Sequence, residues 1–124
     1  MGPYLIVFAG AGLGGMARHA VNMAGARLGY AFPWATISVN VAGSILMGVL
    51  AGWFALKTGA PQHVKLFLTT GVLGGFTTFS AFSLDAALLW ERGAFGPFAL
   101  YVLGSVVLSV AGLFAGMAAV RLLG

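Results

Sequence analysis

Apolar residues run along the chain in four long blocks, separated by short segments that carry turn residues and most of the charges. A helix rises about 1.5 Å per residue, so about 20 mostly apolar residues cross the hydrocarbon core of a membrane, which is about 30 Å thick. All four blocks reach this length. The pattern predicts an all-α membrane protein with four transmembrane helices in a single domain, with spans at about 4–25, 35–56, 64–90 and 97–120.

The composition agrees with this assignment and removes several classes of function. Of 124 residues, 60% are hydrophobic and 6% are charged, a balance that water-soluble domains of this size do not reach. Cysteine is absent, so disulfides, thiolate metal sites and cysteine nucleophiles are excluded. The six basic residues are scattered singly, which argues against nucleic acid as a partner. Because the sequence also offers no nucleophile with a base, we predict that the protein is not an enzyme.

The distribution of basic residues bears on orientation. With four spans both chain ends lie on one side of the membrane, together with Lys57, Lys65 and Arg121. Arg27 and Arg92 lie on the other, so the balance is three against two, or three against three if Arg18 is counted there. An excess of Lys and Arg in cytoplasmic loops normally sets orientation, and here the excess is nearly missing. We therefore hypothesise that the chain inserts both ways and pairs as an antiparallel dimer.

The centre of the third span, Gly71 to Ser80, is the least helix-like part of the chain. It contains three glycines, two threonines and a serine, so helix propensity is weakest there. We predict a helix broken near its centre, where freed carbonyls can bind a cation such as Na⁺ along a cavity. Phe79 and Phe82 follow the break on a similar face. Their positive ring edges can line an anion path, although packing against lipid or core is the alternative.

Two stripes of polar residues also fall within spans. Asn40 shares a helical face with Thr36 and Ser44, and a second stripe runs along the fourth span through Tyr101, Ser105 and Ser109. In hydrocarbon such groups must meet a partner helix or a watery path. Facing stripes of hydroxyls and an amide could dehydrate an ion, and hydrogen bonding between helices remains the alternative.

Charged residues inside spans leave further alternatives. Arg18 either extends to the lipid headgroups or faces an aqueous vestibule, where it would raise the local concentration of anions. Asp85 lies three residues past Phe82, where a carboxylate would repel an anion. We therefore expect Asp85 to be displaced toward the vestibule, paired or protonated.

Glycines recur at helical spacing in three spans. The first run, 10–15, matches a dinucleotide-binding glycine pattern, but the first acidic residue in the chain is Asp85, too far along to bind the ribose. Similar spacing is found at Gly71 and Gly75 and at Gly112 and Gly116. We interpret all three sets as sites where helices pack closely.

Three segments together resemble the Fluc (CrcB) family of bacterial fluoride channels: 12–18 (GLGGMAR), 36–44 (TISVNVAGS) and 71–82 (GVLGGFTTFSAF). The resemblance implies a multi-pass protein of the bacterial inner membrane that lets cytoplasmic fluoride leave passively and so confers fluoride resistance. It also implies an antiparallel, dual-topology homodimer with two pores, each built from both subunits.

The resemblance assigns roles to individual residues. It places Asn40, Phe79 and Phe82 in the fluoride pore and Arg18 in the vestibule. It also implies a structural Na⁺ at the dimer interface, held by the backbone carbonyls of Gly74 and Thr77. The polar members of the pore that it implies are Thr36, Thr78, Tyr101 and Ser105. The chain departs from the family pattern at His19, Ile45, Ala81 and Asp85.

Two other functions fit four short spans. A small multidrug exporter exchanges protons for cationic drugs through a glutamate in its first helix, but the first span here has no acid. A non-transporting assembly subunit would use its glycines for packing alone. Fluoride efflux from liposomes that contain only this protein discriminates between that subunit and a channel.

Overall fold

The computed structural model describes residues 1–29, 31–57 and 59–124, and the elements in these ranges are all helical. Four helices are long and apolar enough to cross a membrane. The all-helical, four-span class predicted from the sequence is therefore confirmed. The four helices are Gly2–Leu28, Trp34–Leu56, Gln62–Glu91 and Phe95–Leu123, and the predicted spans lie inside them.

The first two helices are α1 (Gly2–Leu28) and α2 (Trp34–Leu56). Helix α1 ends at Gly29, whose φ of 69° is left-handed and whose N–H bonds back to the carbonyls of Gly25 and Ala26. Glycine adopts this conformation without a steric penalty, so the helix stops cleanly.

The third span consists of several pieces. Helix α3 (Gln62–Leu66) continues into a π-helical segment at Phe67–Leu73 and a short α4 (Gly74–Phe76). Thr77 and Thr78 then have extended backbone, with φ, ψ of −88°, 158° and −152°, 122°, before α5 (Phe79–Glu91) begins. Thr78 is the N-cap of α5, because its side chain accepts a hydrogen bond from Ala81 N at 3.1 Å. We call residues 77–78 the interruption.

The last helix, α6 (Phe95–Leu123), follows a turn at Gly93, whose φ is 74°. It packs along α2, and α1 packs along the π-helical segment and α4. The bundle therefore contains two close helix pairs, with α5 lying against α6.

Glycines set the distance between the paired helices. A Cβ at Gly14 would overlap the Val72 carbonyl oxygen, and one at Gly116 would overlap the Ile45 carbonyl oxygen. A Cβ at Gly10 would lie 2.7 Å from Phe67 O. Without a hydrophobic force between helices in lipid, such close backbone contact is a main source of association. The interpretation of the recurring glycines as packing sites is confirmed in all three sets, at Gly10, Gly14, Gly71, Gly75, Gly112 and Gly116. It is wrong for Gly12 and Gly15, where an added Cβ would meet no atom within 4 Å.

Most large apolar side chains face outward, and the buried core is small. Its centre is Tyr101, which is 0% exposed and packs with Ile37, Ala86 and Leu89. This core joins α5 and α6 to the start of α2. It thereby fixes where the polar residues of these helices meet.

Candidate functional site

A cleft of about 400 Å³ lies between α2, the interruption and α6. The residues described along its walls are all uncharged, and several carry hydroxyl or amide groups. Nine of the residues singled out in the sequence meet here: Asn40, Ser44, Gly74, Thr77, Thr78, Phe79, Phe82, Ser105 and Ser109. The two polar stripes therefore do face each other. We call this space the central cleft.

Asn40 is tied to the interruption by a pair of hydrogen bonds. Its Nδ2 donates to Thr78 O at 2.9 Å, and Thr78 N donates to Asn40 Oδ1 at 2.8 Å. The side-chain amide thus replaces the peptide partner that Thr78 would have in a regular element. Because the amide nitrogen donates and the amide oxygen accepts, the orientation of the side-chain amide is fixed. The second N–H of Nδ2 takes no part in this pair of hydrogen bonds.

The two phenylalanines lie in contact at the cleft wall. The ring centroids of Phe79 and Phe82 are 5.5 Å apart, and that of Phe82 is 5.2 Å from Tyr101. Phe79 is 78% exposed, so its ring faces lipid or another chain rather than this core.

Ser105 carries an unusual hydroxyl. The residue is 5% exposed and lines the central cleft, yet its Oγ has no hydrogen-bond partner among the described residues. A buried hydroxyl without a partner costs about 1–3 kcal/mol. An occupant of the cleft that accepts a hydrogen bond would remove this cost.

A second cleft, of about 250 Å³, lies near the C-terminal end of α1 and the start of α2. Thr36 and Asp85 line this cleft and not the central one. Tyr101 separates the two groups of residues, with its ring against Phe82 and its hydroxyl donating to Asp85 Oδ2 at 3.1 Å. Asp85 thus lies outside the central cleft and is hydrogen-bonded to Tyr101, which agrees with two of the three alternatives, displacement and pairing.

The second cleft contains a residue that the sequence reasoning missed. Asn22 lines it together with Thr36 and Asp85. The sequence feature that could have indicated Asn22 is its amide inside an otherwise apolar span. It lies four residues after Arg18 and therefore on the same helical face.

Arg18 contacts the backbone just before the interruption. Its Nε donates to Gly75 O at 3.1 Å, and the side chain is partly buried. In an uninterrupted helix this carbonyl would accept from the N–H of Phe79. Arg18 is not among the described residues of either cleft.

The carbonyls of Gly74 and Thr77 have lost their usual helical donors. In a continuous helix Gly74 O would accept from Thr78 N, but that N–H donates to Asn40. Thr77 O would accept from Ala81 N, but that N–H donates to the Thr78 hydroxyl. Carbonyl oxygens outside a helical ladder are the ligands that Na⁺ takes in interrupted membrane helices, so these two residues fit the implied ion.

In the part of the chain that the structure describes, no group of three or more His, Asp or Glu side chains could hold a metal.

The fold and the central cleft define a class: a small multi-pass membrane protein with an uncharged polar cavity at a helix interruption. Irregular backbone at membrane depth is tolerated only where it lies inside protein or lines a cavity. The chain belongs to the CrcB family, because the family model described as CrcB-like protein, Camphor Resistance (CrcB), matches residues 5–117.

Similar curated proteins cover nearly the whole chain. A "Fluoride-specific ion channel FluC" of Rhodopseudomonas palustris (strain BisB5) is 65% identical over 119 residues, which are 95% of this chain and 96% of the relative. Another protein of that name, from Methylobacterium nodulans, is 62% identical over 120 residues, 97% of each chain. "Fluoride-specific ion channel FluC 2" of Nitrobacter hamburgensis is 60% identical over 119 residues, 95% of this chain and 96% of the relative.

Proposed function

We propose that the chain is a fluoride-specific ion channel that conducts cytoplasmic fluoride passively out across the bacterial inner membrane. Near-full-length relatives carry that name, and the four apolar helices fit a multi-pass bacterial membrane protein. The observation that carries the proposal is the buried, unpartnered Ser105 hydroxyl in a cleft without charged walls among the described residues.

Fluoride is small and strongly hydrated, so a selective path must replace its water with close donors and still release the ion. The remaining N–H of Asn40 and the hydroxyl of Ser105 are such donors, and both residues line the central cleft. The rings of Phe79 and Phe82 add positive edges without a full charge that would trap the anion. None of these groups carries a full charge.

The other pore residues extend this set in two directions. The Thr78 hydroxyl accepts from Ala81 N, and its own hydrogen can point into the cleft or toward Ser80 Oγ, which lies 3.4 Å away. Thr36 and Tyr101 continue the path toward the second cleft, where the Tyr101 hydroxyl bonds to Asp85. In this conformation Tyr101 lies between the two clefts.

The pore is completed by a second copy of the chain in an antiparallel, dual-topology homodimer embedded in lipid. Phe79 projects from the chain beside the cleft and offers its ring to the partner. The near balance of basic residues between the two sides permits insertion in both orientations. We expect the interruption at residues 77–78 to lie near the membrane centre, so that the cleft would be midway between the two solutions.

A Na⁺ ion at the dimer interface would be held by the carbonyls of Gly74 and Thr77, whose helical donors go elsewhere. When bound, it would supply positive charge beside the interruption. Arg18, which caps the Gly75 carbonyl, adds cationic charge toward the vestibule, and a formal net charge of +4 favours anion entry.

The other two functions have less support. The first helix contains no acid for proton exchange, which a multidrug exporter would need. A subunit that only packs against other proteins would have no use for a buried hydroxyl without a partner.

The deciding experiment is fluoride efflux from liposomes that contain only this protein. We expect rapid efflux from wild type and a loss of about tenfold or more in Phe82→Ile, because a branched aliphatic side chain has no positive ring edge. Phe8→Ile, on an exposed face of α1, is the matched control and should conduct like wild type. Wild-type vesicles that stay impermeable to fluoride would overturn the proposal.

A further inference from the structure

Two side chains at the interruption each capture a backbone N–H that an uninterrupted helix would use. Asn40 Oδ1 takes the N–H of Thr78 at 2.8 Å, and the Thr78 hydroxyl takes the N–H of Ala81 at 3.1 Å. Thr78 and Ala81 lie four residues after Gly74 and Thr77, respectively. The carbonyls deprived of their donors are thus the two oxygens that fit the cation.

Each capture is a competition between two acceptors for one N–H. If Asn40 Oδ1 were missing, the N–H of Thr78 would be free to return to Gly74 O and rewind the helix by one residue. If the Thr78 hydroxyl were missing, the N–H of Ala81 would be free to bond to Thr77 O. A carbonyl that accepts a helical hydrogen bond is a poorer cation ligand, since that donor competes for its lone pairs.

We infer that Asn40 and the Thr78 hydroxyl are positioning residues for a cation site, because they hold the carbonyls of Gly74 and Thr77 out of the helical ladder. The inference rests on the proposed function and adds a coupling to it. Asn40 also lines the central cleft, so one side chain serves the anion path and the cation site. Such coupling is reciprocal: an ion bound at either site alters the affinity of the other site for its ion.

The Thr78 hydroxyl is tested by two substitutions in the full-length protein in detergent. The readout is the Na⁺ concentration that gives half of the maximal rise in thermal midpoint, with choline replacing Na⁺. Thr78→Val has nearly the same shape but no hydroxyl, and we expect it to raise this Na⁺ midpoint about fivefold to tenfold, the size of one competing backbone hydrogen bond. Thr78→Ser keeps the hydroxyl and should keep the wild-type Na⁺ midpoint.

Asn40 is tested by a double-mutant cycle. Asn40→Ala should raise the Na⁺ midpoint by a similar factor, because the N–H of Thr78 is released to Gly74 O. The same substitution is then made in a protein whose Thr78 is replaced by its α-hydroxy acid, which converts the 77–78 peptide into an ester and removes that N–H. The ester weakens Thr77 O as a ligand, so the ester protein is its own baseline. In this background Asn40→Ala should no longer shift the Na⁺ midpoint.

Three outcomes would overturn the inference: an unchanged Na⁺ midpoint in Thr78→Val, an unchanged midpoint in Asn40→Ala, or an equal shift in the peptide and ester backgrounds. A direct role of Asn40 in folding would produce the last of these, because the loss of its side chain would cost the same with or without the N–H. Fluoride efflux from the same preparations separates this inference from the proposed function. If wild type conducts fluoride but the variants show no Na⁺ shift, only the inference is refuted. If wild type itself shows no efflux, the proposed function is refuted.

Discussion

At the scale of single residues, the most informative group is the Ser105 hydroxyl. A serine in the middle of a helix usually satisfies its hydroxyl locally or at the surface, whereas this one is buried without a partner among the described residues. Stability alone would favour alanine at this position. The hydroxyl is therefore better explained by what enters the central cleft than by what holds the protein together.

Ser105→Ala should accordingly lower conduction without lowering stability. Removing an unpartnered buried hydroxyl should leave the free energy of unfolding unchanged or raise it, by up to about 1–3 kcal/mol. The thermal midpoint should accordingly stay the same or rise. Fluoride efflux should fall about tenfold, because one donor along the path is lost. Thermal unfolding in detergent and efflux from liposomes measure the two effects.

Ser38→Ala, which removes an exposed hydroxyl from α2, is the control for that experiment and should change neither quantity. A Ser105→Ala protein that conducts like wild type would remove Ser105 from the pore and weaken the proposed function.

At the scale of elements, α1 packs closely against the third span just before the interruption. Gly14 lies against the Val72 carbonyl, so no side chain fits between these two backbones. Arg18, one turn further along α1, then reaches the Gly75 carbonyl before the interruption. The face of α1 that carries Gly14 thus sets the helix spacing, and it also positions the Arg18 side chain against the third span.

Gly14→Ala tests this dependence. The added methyl would overlap the Val72 carbonyl, so the helices must separate, and we expect a loss of about 1–3 kcal/mol of stability together with lower efflux. The measurement is the thermal midpoint of the purified protein, with efflux recorded in parallel.

Gly12→Ala is the matched control, since no atom lies within 4 Å of a Cβ placed there. It should be neutral or slightly stabilising, because alanine is the better helix former. Equal destabilisation by the two substitutions would show that close packing at Gly14 does not determine the spacing.

At the scale of the whole molecule, much of the large apolar surface faces outward, and the central cleft opens beside the exposed ring of Phe79. Lipid accounts for most of such a surface in a four-span protein. In the proposed homodimer, a second copy of the chain would cover the part next to the cleft, where uncharged polar groups would otherwise meet lipid.

Dual topology predicts how added charge should act. Gln62→Lys with His63→Lys adds cations on one side, and Ala31→Lys with Gly96→Lys adds them on the other. Each pair should bias all copies toward one orientation and abolish fluoride resistance when expressed alone. The two variants expressed together should restore resistance, because each supplies one orientation. Full resistance from either variant alone would contradict the antiparallel dimer.

The sequence by itself determined the membrane class, the four helices and the cluster of candidate residues around the third span. These follow from local facts: the length of apolar runs against the thickness of a bilayer, and the low helix propensity of the segment from Gly71 to Ser80. Helical spacing also placed Asn40 with Ser44, and Phe79 with Phe82, on shared faces. Each of these inferences involves residues close together in the chain.

Only the tertiary structure decided which partners these residues have. Asn40 and Thr78 are 38 positions apart, and Arg18 and Gly75 are 57 apart. Their hydrogen bonds depend on the axial offset between packed helices, which residue spacing within one helix cannot encode. The same offset placed Thr36 and Asp85 in a second cleft with Asn22, and inserted Tyr101 between that cleft and Phe82. In lipid, close backbone contact at glycines fixes this offset, so the site is a product of packing.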